Sequence, residues 1–477
     1  MRVRPRTVFM TLSVAALAIL CSSAQSQVLK APAGSGWNVV QGFAGNSIQA
    51  EVRSATIGGG GLEGLPNLVS GDAGSVGGGA GNRAGESATV AGGLYNSAEG
   101  YRSAIGGGGY NVADRDGATV AGGYGNRAIG GYATIAGGTI NAALEVNAAV
   151  GGGSGNTASE RHTFVGGGTS NTASGFASLI AGGVYNASMA AYAAVGGGIS
   201  NAAKAREAVI SGGAGNTAEG DNCSIGGGLN NRISANYATI AGGRANKAGN
   251  PGSGPGDAAY ASVGGGDSNQ ASGAYSVVPG GAFNSAGGAF SLAAGRRAKV
   301  QGSHAGAMVF ADATDSDFQS QAGNEFAVRA TGGARWVSAV DAHGDPLAGV
   351  RLAGGSGAWE SLSDRRAKKD FTPVDSQEIL KKVAELPLTS WSYLAQPSSI
   401  RHMGPTSQEF KAAFGLGEDE RFISTADADG VALAAIQGLY RHICDVERQL
   451  AANEERMRTM EALIRDQQRR LEGSEQR

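Results

Sequence analysis

The sequence predicts a mainly β protein: a solenoid of 15-residue coils, then a small β segment, then a helical module that ends in a coiled coil. Three observations lead to this prediction. Glycine supplies 82 of the 477 residues against 11 prolines, and it recurs at fixed places in a 15-residue repeat. Of the 78 charged residues, 36 lie in the last 115 positions. The final segment carries apolar residues at alternating spacings of three and four.

Composition excludes several classes of protein. Collagen needs glycine at every third position and abundant proline, and this chain has neither. A disordered Gly-rich chain conflicts with a hydrophobic content of 41%, which is enough to build a core. With 38 basic and 40 acidic residues the net charge is −2, so no overall field favours nucleic acid or anionic lipid.

The N-terminus has the layout of a secretory signal. Three arginines in the first six residues precede an apolar run over 8–20, and small residues follow. The run is too short to span a bilayer, so we expect a signal peptide over 1–24, a lead-in over 25–54, and a secreted or cell-surface mature chain without a membrane-spanning helix. Only Cys223 and Cys444 would remain, which gives no disulfide framework.

Repeats are expected over 55–300. Written in rows of 15 from Ala118, the sequence has small or apolar residues at positions 1 and 3, as a strand with one buried face requires. Gly-Gly at positions 5 and 6 and a frequent Gly or Ala at position 13 predict two bends, hence two short strands per coil. About 15 coils are predicted from an asparagine that recurs at Asn67, Asn82, Asn96, Asn111, Asn126, Asn141, Asn156, Asn171, Asn186, Asn201, Asn216, Asn231, Asn246, Asn269 and Asn284.

The recurrent asparagines are expected to stack in a ladder, with each amide bonding to the backbone of the coils above and below. The core residues are small and a two-strand coil is flat, so we predict that the solenoid assembles as a homotrimer. A calcium-binding nonapeptide solenoid would need an aspartate in every turn, which the rows lack. An ice-binding threonine array is also excluded, because position 2 varies.

The rows over Ala55 to Ala298 resemble the head repeats of YadA-like trimeric autotransporter adhesins in their period, their small-apolar-Gly strand and the placement of their turns. That resemblance implies a left-handed β-roll. The rows differ by carrying GG-x-x-N, and the C-terminal β-barrel anchor of that family is missing. The following stretch, 301–362, has short alternating apolar runs that predict a β neck, with a loose neck as the alternative.

Ser363 and Lys368 are the candidate catalytic residues. A neutral, desolvated lysine can take the proton of a serine hydroxyl, whose oxygen then attacks a carbonyl. Lys369 is an alternative base. The segment from SDRRAKKDFTPVD through LPLTSWSY and IRHMGPTSQEFKAAFG resembles the peptidase S74 module, the intramolecular chaperone of phage endosialidases and tail fibres. The resemblance places this chaperone module at 363–435 and its dyad on Ser363 and Lys368.

The same resemblance implies that three modules fold first, hold three chains in register and then cut themselves off. The cut is expected between Leu362 and Ser363, because that attack closes a five-membered ring. A cut between Ser363 and Asp364, made by the serine of a neighbouring chain, remains open.

The last segment, 436–473, is predicted to form a parallel coiled coil, with a lone amphipathic helix as the alternative. Polar Asn453 and Gln467 would fix its register. Heptads alone do not distinguish two strands from three. The repeat follows Ile436, Leu439, Ile443, Val446, Leu450, Asn453, Met457, Met460, Ile464, Gln467 and Leu471.

The sequence therefore predicts a trimeric fibre, adhesin-like or structural, with a self-cleaving assembly module and a host-surface glycan or protein as ligand. No metal or cofactor is expected, since the five histidines are scattered. One alternative is a fibre that degrades polysaccharide, although the rows offer only isolated carboxylates such as Glu145, Glu160 and Glu207. The other is a structural fibre with an uncleaved trimer clamp.

Overall fold

A computed structural model describes residues 27–30, 36–250, 252, 254 and 256–475. The predicted signal peptide, 1–24, lies outside the described residues. The chain divides into two units, one that ends at Ala330 and one that begins at Thr331. Each unit is described by itself below.

The first unit is a parallel β-solenoid with two short strands per coil. Each strand of a coil pairs in parallel with the equivalent strand of the next coil, usually 15 residues on, as Thr119 pairs with Thr134. A further strand, Gln27–Lys30, joins the first sheet by pairing antiparallel with Trp37–Val40. The predicted fold class, a solenoid of 15-residue coils, is confirmed. The described residues hold 19 coils rather than 15. Asn46 adds a coil at the N-terminal end, and three strands without the recurrent asparagine extend the ladder at the C-terminal end: Leu292–Gly295, Met308–Ala311 and Phe326–Arg329.

Two sheets result, one from each strand of the coil. The first sheet contains Trp37–Val40, Thr56–Ile57, Ser75–Val76, Thr89–Val90, Ala104–Ile105, Thr119–Val120, Thr134–Ile135, Ala149–Val150, Phe164–Val165, Leu179–Ile180, Ala194–Val195, Val209–Ile210, Ser224–Ile225, Thr239–Ile240, Ser262–Val263, Val277–Val278, Leu292–Gly295, Met308–Ala311 and Phe326–Arg329. The second contains Ser47–Ile48, Leu68–Val69, Arg83–Ala84, Ser97–Ala98, Val112–Ala113, Arg127–Ala128, Ala142–Ala143, Thr157–Ala158, Thr172–Ala173, Ala187–Ser188, Ala202–Ala203, Thr217–Ala218, Arg232–Ile233, Lys247–Ala248, Gln270–Ala271, Ser285–Ala286, Ala298–Val300 and Phe318–Gln319.

The core lies between the two sheets and is made of small and β-branched side chains. In a representative coil Ala118, Val120 and Ala128 are fully buried, while Thr119 between them points outward. This is the two-residue alternation that the rows predict. Cys223 takes the place of an alanine at position 1 and is buried too, which raises the pKa of its thiol to about 11.

The recurrent asparagines form a continuous buried column. Asn126 donates from Nδ2 to the carbonyl oxygens of Gly122 in its own coil and of Gly138 in the next coil, both at 3.0 Å. Its Oδ1 accepts from the backbone N–H of Asn141 at 3.0 Å. The Asn126 side chain therefore bonds to the backbone of its own coil and of the following one. In four members of the column, Asn96, Asn111, Asn171 and Asn216, Nδ2 also donates to Oδ1 of the preceding asparagine. The column satisfies turn groups that have no strand partner.

The two bends of each coil place the left-handed backbone conformation at different positions of the row. Gly123 at position 6 has φ +95°, as predicted for Gly-Gly, and a Cβ there would lie 2.1 Å from the Gly138 carbonyl oxygen. In the second bend the left-handed residue is position 15, for example Tyr132 with φ +58°. Glycine at position 13 has another cause: a Cβ on Gly130 would lie 2.1 Å from the Glu145 carbonyl oxygen of the next coil.

The second unit combines two small antiparallel sheets with helices. One sheet contains Gly333–Val340, Pro346–Ala353 and Trp359–Ser361, and the other pairs Thr389–Trp391 with His402–Gly404. A short 3-10 helix spans Arg365–Ala367. The α-helices are α1 (Ser376–Glu385), α2 (Ser407–Phe414) and α3 (Thr425–Glu475), the last about 76 Å long at 1.5 Å per residue.

Candidate functional site

The candidate dyad lies just after the first antiparallel sheet of the second unit. Nζ of Lys368 is 2.7 Å from Oγ of Ser363 and donates a hydrogen bond to it. That separation is within reach for proton transfer between the two groups. Both side chains are exposed in the single chain.

Asp364 forms the turn that brings these two residues together. Its carboxylate accepts a 2.8 Å hydrogen bond from the backbone N–H of Arg366 and so caps the 3-10 helix Arg365–Ala367. The N–H of Lys368 then closes the turn on the Arg365 carbonyl. Because the chain turns back on itself between Ser363 and Lys368, the lysine side chain reaches the serine hydroxyl.

The charge on Asp364 is held by its neighbour. Oδ2 of Asp364 accepts from Nη2 of Arg366 at 2.7 Å, and this side-chain contact is the main cause that lowers the pKa of Asp364 to about 2. The cap is therefore ionised at every pH above that value. Arg365 stacks on the ring of Phe371, 4.5 Å from its centroid, and steadies the other side of the turn.

The peptide bond before Ser363 is fixed at the sheet edge. The backbone N–H of Leu362 donates to the Gly349 carbonyl at 2.9 Å. A cleft of about 410 Å³ is lined by Trp336, Val350, Leu362 and Ser363, among others. A second cleft of about 420 Å³ is lined by Leu362 and Asp364, among others. Leu362 thus contributes to two open clefts, and Ser363 lines one of them.

Other predicted residues stay outside this arrangement. Lys369, the alternative base, makes no described hydrogen bond with Ser363. His402, one of the five scattered histidines, has Nε2 2.8 Å from Oε1 of Gln396 and stacks on the ring of Trp391 at 4.9 Å. Among the residues that the structure describes, no group of three or more His, Cys, Asp or Glu could hold a metal ion.

Helix α1 docks on α3 through residues that sequence analysis missed. Nε2 of Gln377 donates to the Gly438 carbonyl at 2.8 Å, and Nη1 of Arg441 donates to Oγ of Ser376 at 3.0 Å. A Cβ on Gly438 would lie 2.2 Å from the Ser376 carbonyl oxygen. A glycine inside an otherwise helical heptad run was the available sign of this close approach.

The apolar seam of α3 is uncovered in the single chain. The predicted heptad positions lie on one continuous helix, which begins at Thr425, ahead of the predicted coiled coil. The apolar side chains of the seam are between 46% and 66% exposed: Ile436, Leu439, Ile443, Val446, Leu450, Met457, Met460, Ile464 and Leu471.

The solenoid carries an exposed aromatic column at its second bend. The rings of Tyr237, Tyr260, Tyr275 and Phe290 stack with centroids 4.9, 4.9 and 5.1 Å apart. A second series contains His162, Phe176 and Tyr192, whose rings meet edge to face. Tyr132 is exposed as well. The isolated carboxylates Glu145, Glu160 and Glu207 take part in no acidic cluster within the described ranges.

Comparison with known proteins bears on the second unit. No helix in the described part of the chain is both long and apolar enough to cross a membrane. A search of curated proteins finds no match to the chain. The profile of one family, peptidase S74, described as the chaperone of endosialidase, matches residues 363–415. The match begins at Ser363 and includes Lys368, α1 and α2. Residues 363–415 are thus a chaperone-of-endosialidase domain of the peptidase S74 family, carried on a chain whose N-terminal region is a β-solenoid.

Proposed function

We propose that this protein is an exported trimeric fibre whose C-terminal module directs the assembly of three chains and then severs itself at Ser363. The observation that carries the proposal is the 2.7 Å contact between Lys368 Nζ and Ser363 Oγ. The contact adjoins the Leu362–Ser363 peptide bond, whose Leu362 lines two open clefts, and it lies inside the segment that matches the family.

The proposed reaction starts with the hydroxyl of Ser363. Lys368, in its neutral form, takes the hydroxyl proton, and Oγ attacks the carbonyl carbon of Leu362. The C–N bond to Ser363 breaks and its nitrogen takes the proton from the lysine, leaving an ester between Leu362 and Oγ. Water then hydrolyses this ester, so that one product ends in the carboxylate of Leu362 and the other begins with the free amine of Ser363.

Assembly is supported by the seam of α3. A soluble chain that keeps nine large apolar side chains exposed on one face of one helix requires a covering surface. The 3-4 spacing of these residues is the pattern of a coiled coil, in which copies of the same helix cover each other. Three copies agree with the family resemblance and with the flat, small-residue coils.

Exposure of the dyad suggests how cutting would follow assembly. Burial favours the neutral form of a lysine, which the chemistry needs. Ser363 and Lys368 are exposed in one chain, so a neighbouring copy would supply the surroundings that exclude water. Cleavage then waits until the trimer has formed.

The solenoid is proposed to act as an adhesive or structural shaft. The aromatic column of Tyr237, Tyr260 and Tyr275 leaves about half of each side chain exposed, and such rings suit contact with a glycan or protein on a host surface. The signal layout at 1–24 supports a secreted or cell-surface location.

A denaturing gel and N-terminal sequencing test self-cleavage. The wild-type chain should yield two fragments, while Ser363→Ala and Lys368→Met should remain full length. Ser361→Ala and Lys369→Met are matched controls and should be cut normally. A product that begins at Ser363 places the cut after Leu362, and one that begins at Asp364 places it after Ser363. An uncut wild-type chain that still forms trimers would leave the module as a permanent clamp.

A further inference from the structure

The two outer faces of the solenoid differ in chemistry along their whole length. Across the 19 parallel strands of the first sheet, from Trp37–Val40 to Phe326–Arg329, every outward side chain is Ala, Ser, Thr or a larger apolar residue. None of them is charged. On the second sheet the outward positions include Arg83, Arg127, Arg232, Lys247 and Lys299.

Charged side chains on the side of the second sheet form ion pairs that remain exposed to water. Glu219 accepts from Lys204 at 3.0 Å and from Arg232 at 2.7 Å, and these residues lie on neighbouring coils. All three side chains remain between 25% and 46% exposed. Exposed ion pairs of this kind stay hydrated at little cost, so this face is suited to solvent.

Larger apolar side chains gather in registered rows on the first sheet. Phe164 pairs directly with Leu179, and they are 43% and 40% exposed. Near the end of the solenoid, Leu292 pairs with Met308 and Met308 pairs with Phe326. Phe326 is 59% exposed in the single chain. This face is therefore uncharged along its parallel strands, with large apolar side chains in registered groups and Ala, Ser or Thr between them. Exposed groups of large apolar side chains mark surfaces that contact a partner.

We propose that the outer face of the first sheet is the surface on which copies of this chain pack against each other along the solenoid, with the second sheet turned to solvent. The inference rests on the proposed trimer and deepens it by naming the interface. The occupant is a second copy because all coils share one spacing, so that identical strips can pack in register over their full length.

The available area agrees with this occupant. Nineteen coils at about 4.8 Å make a strip roughly 90 Å long, and a width of about 10 Å gives on the order of 900 Å² per copy. A stable interface buries about 800 Å² per partner. A glycan would instead need several kinds of polar partner in fixed places, and the outward polar side chains of these parallel strands are Ser and Thr hydroxyls alone.

Thiol accessibility in the full chain tests the proposal. Thr134 and Thr172 form a matched pair: both are exposed outward threonines, on the first and second sheet respectively. Each is replaced by cysteine in a chain where Cys21 and Cys444 are serine, and Cys223 stays because it is buried. Light scattering gives the oligomeric state, and a polyethylene-glycol maleimide reports labelling before and after denaturation.

In the native oligomer Thr134→Cys should react at least about tenfold more slowly than Thr172→Cys, with equal rates after denaturation. Thr239→Cys, also exposed on the first sheet, should behave like Thr134→Cys and guards against a local folding defect. An oligomer in which both faces react equally, or in which Thr172→Cys is the slower, overturns the interface while leaving the trimer intact. A monomer overturns both.

Discussion

The solenoid and the C-terminal unit solve the problem of a folded interior in opposite ways. In the solenoid each coil buries its inward side chains against its neighbours, and the asparagine column satisfies the backbone of the turns. In the second unit, by contrast, the buried apolar residues of the described chain are only Phe410, Val431 and Ala435. The repeat is thus largely completed by contacts within one chain, whereas the module leaves most of its large apolar side chains exposed in the single chain. This difference is what a module that assembles other chains would need.

The largest effect is expected from a charge placed on the apolar seam of α3, because it would prevent the proposed association of chains. Leu450→Asp places a charge on the seam of α3, where a coiled coil would bury it, so trimers should be lost and soluble fibre should fall at least about tenfold in yield. Leu463→Asp is the matched control: Leu463 is as exposed as Leu450 (60% against 58%) but lies off the seam. Light scattering and soluble yield are the measurements. Equal effects of the two changes would argue against a coiled coil.

The next largest effect is expected from removing one asparagine of the buried column, which lowers the stability of the solenoid itself. Asn156→Ala removes the bonds to the Gly152 and Gly168 carbonyls and to the Asn171 N–H, all in a buried turn. Stranding these groups should destabilise the solenoid by roughly 3 kcal/mol or more, seen as a lower unfolding temperature. Thr157→Ala, an outward neighbour on the same strand, should change it by less than about 0.5 kcal/mol. If both variants melt alike, the asparagine column does not stabilise the turns.

A smaller effect is expected at the contact between α1 and α3 in the second unit. Gly438→Ala should weaken this contact, because the new Cβ would lie 2.2 Å from the Ser376 carbonyl oxygen. Hydrogen exchange in Ser376–Glu385 should then rise. Gly430→Ala in the same helix meets no atom within 4 Å and should instead stabilise α3 by about 0.5–1 kcal/mol. Unchanged exchange in Gly438→Ala would mean that the helices separate readily.

The smallest effect concerns the capping carboxylate beside the dyad. The folded pKa of Asp364, about 2, lies below its ordinary value of 3.8, so the turn gains stability above about pH 4 and loses it as the pH falls through about 2. Carboxyl NMR on the uncut Ser363→Ala chain should give a midpoint near 2. Arg366→Gln should raise that midpoint, whereas Arg365→Gln should leave it in place. If Arg366→Gln left the midpoint unchanged, Arg366 would not be the cause of the low pKa of Asp364.

Much of the solenoid was predictable because its contacts recur at a constant separation along the chain. The 15-residue period, the alternation at Ala118 and Val120 and the buried asparagines all follow from one repeated row. The number of coils was underestimated, because Leu292–Gly295, Met308–Ala311 and Phe326–Arg329 pair through backbone groups without the asparagine that marks a row. Backbone pairing needs no particular side chain, so the pattern did not reveal it.

The candidate site was predictable in its residues and not in its geometry. Ser363 and Lys368 could be named by resemblance, while the cut after Leu362 was argued from ring size and stays a prediction. Spacing alone did not separate Lys368 from Lys369, since adjacent side chains in a turn point in directions that the backbone dihedrals decide. The cap by Asp364 supplies those dihedrals.

What the sequence by itself determined is whatever repeats or stays local: the coil, its two strands, its asparagine column and the heptads of α3. Only the tertiary structure decided the contacts between distant or dissimilar segments. Gly438 meets Ser376 across 62 residues, and Gly130 at position 13 lies against the Glu145 carbonyl of the neighbouring coil. A local pattern records the preferences of one segment, while a long-range contact depends on the shapes of two segments together, and those shapes exist only once both have folded.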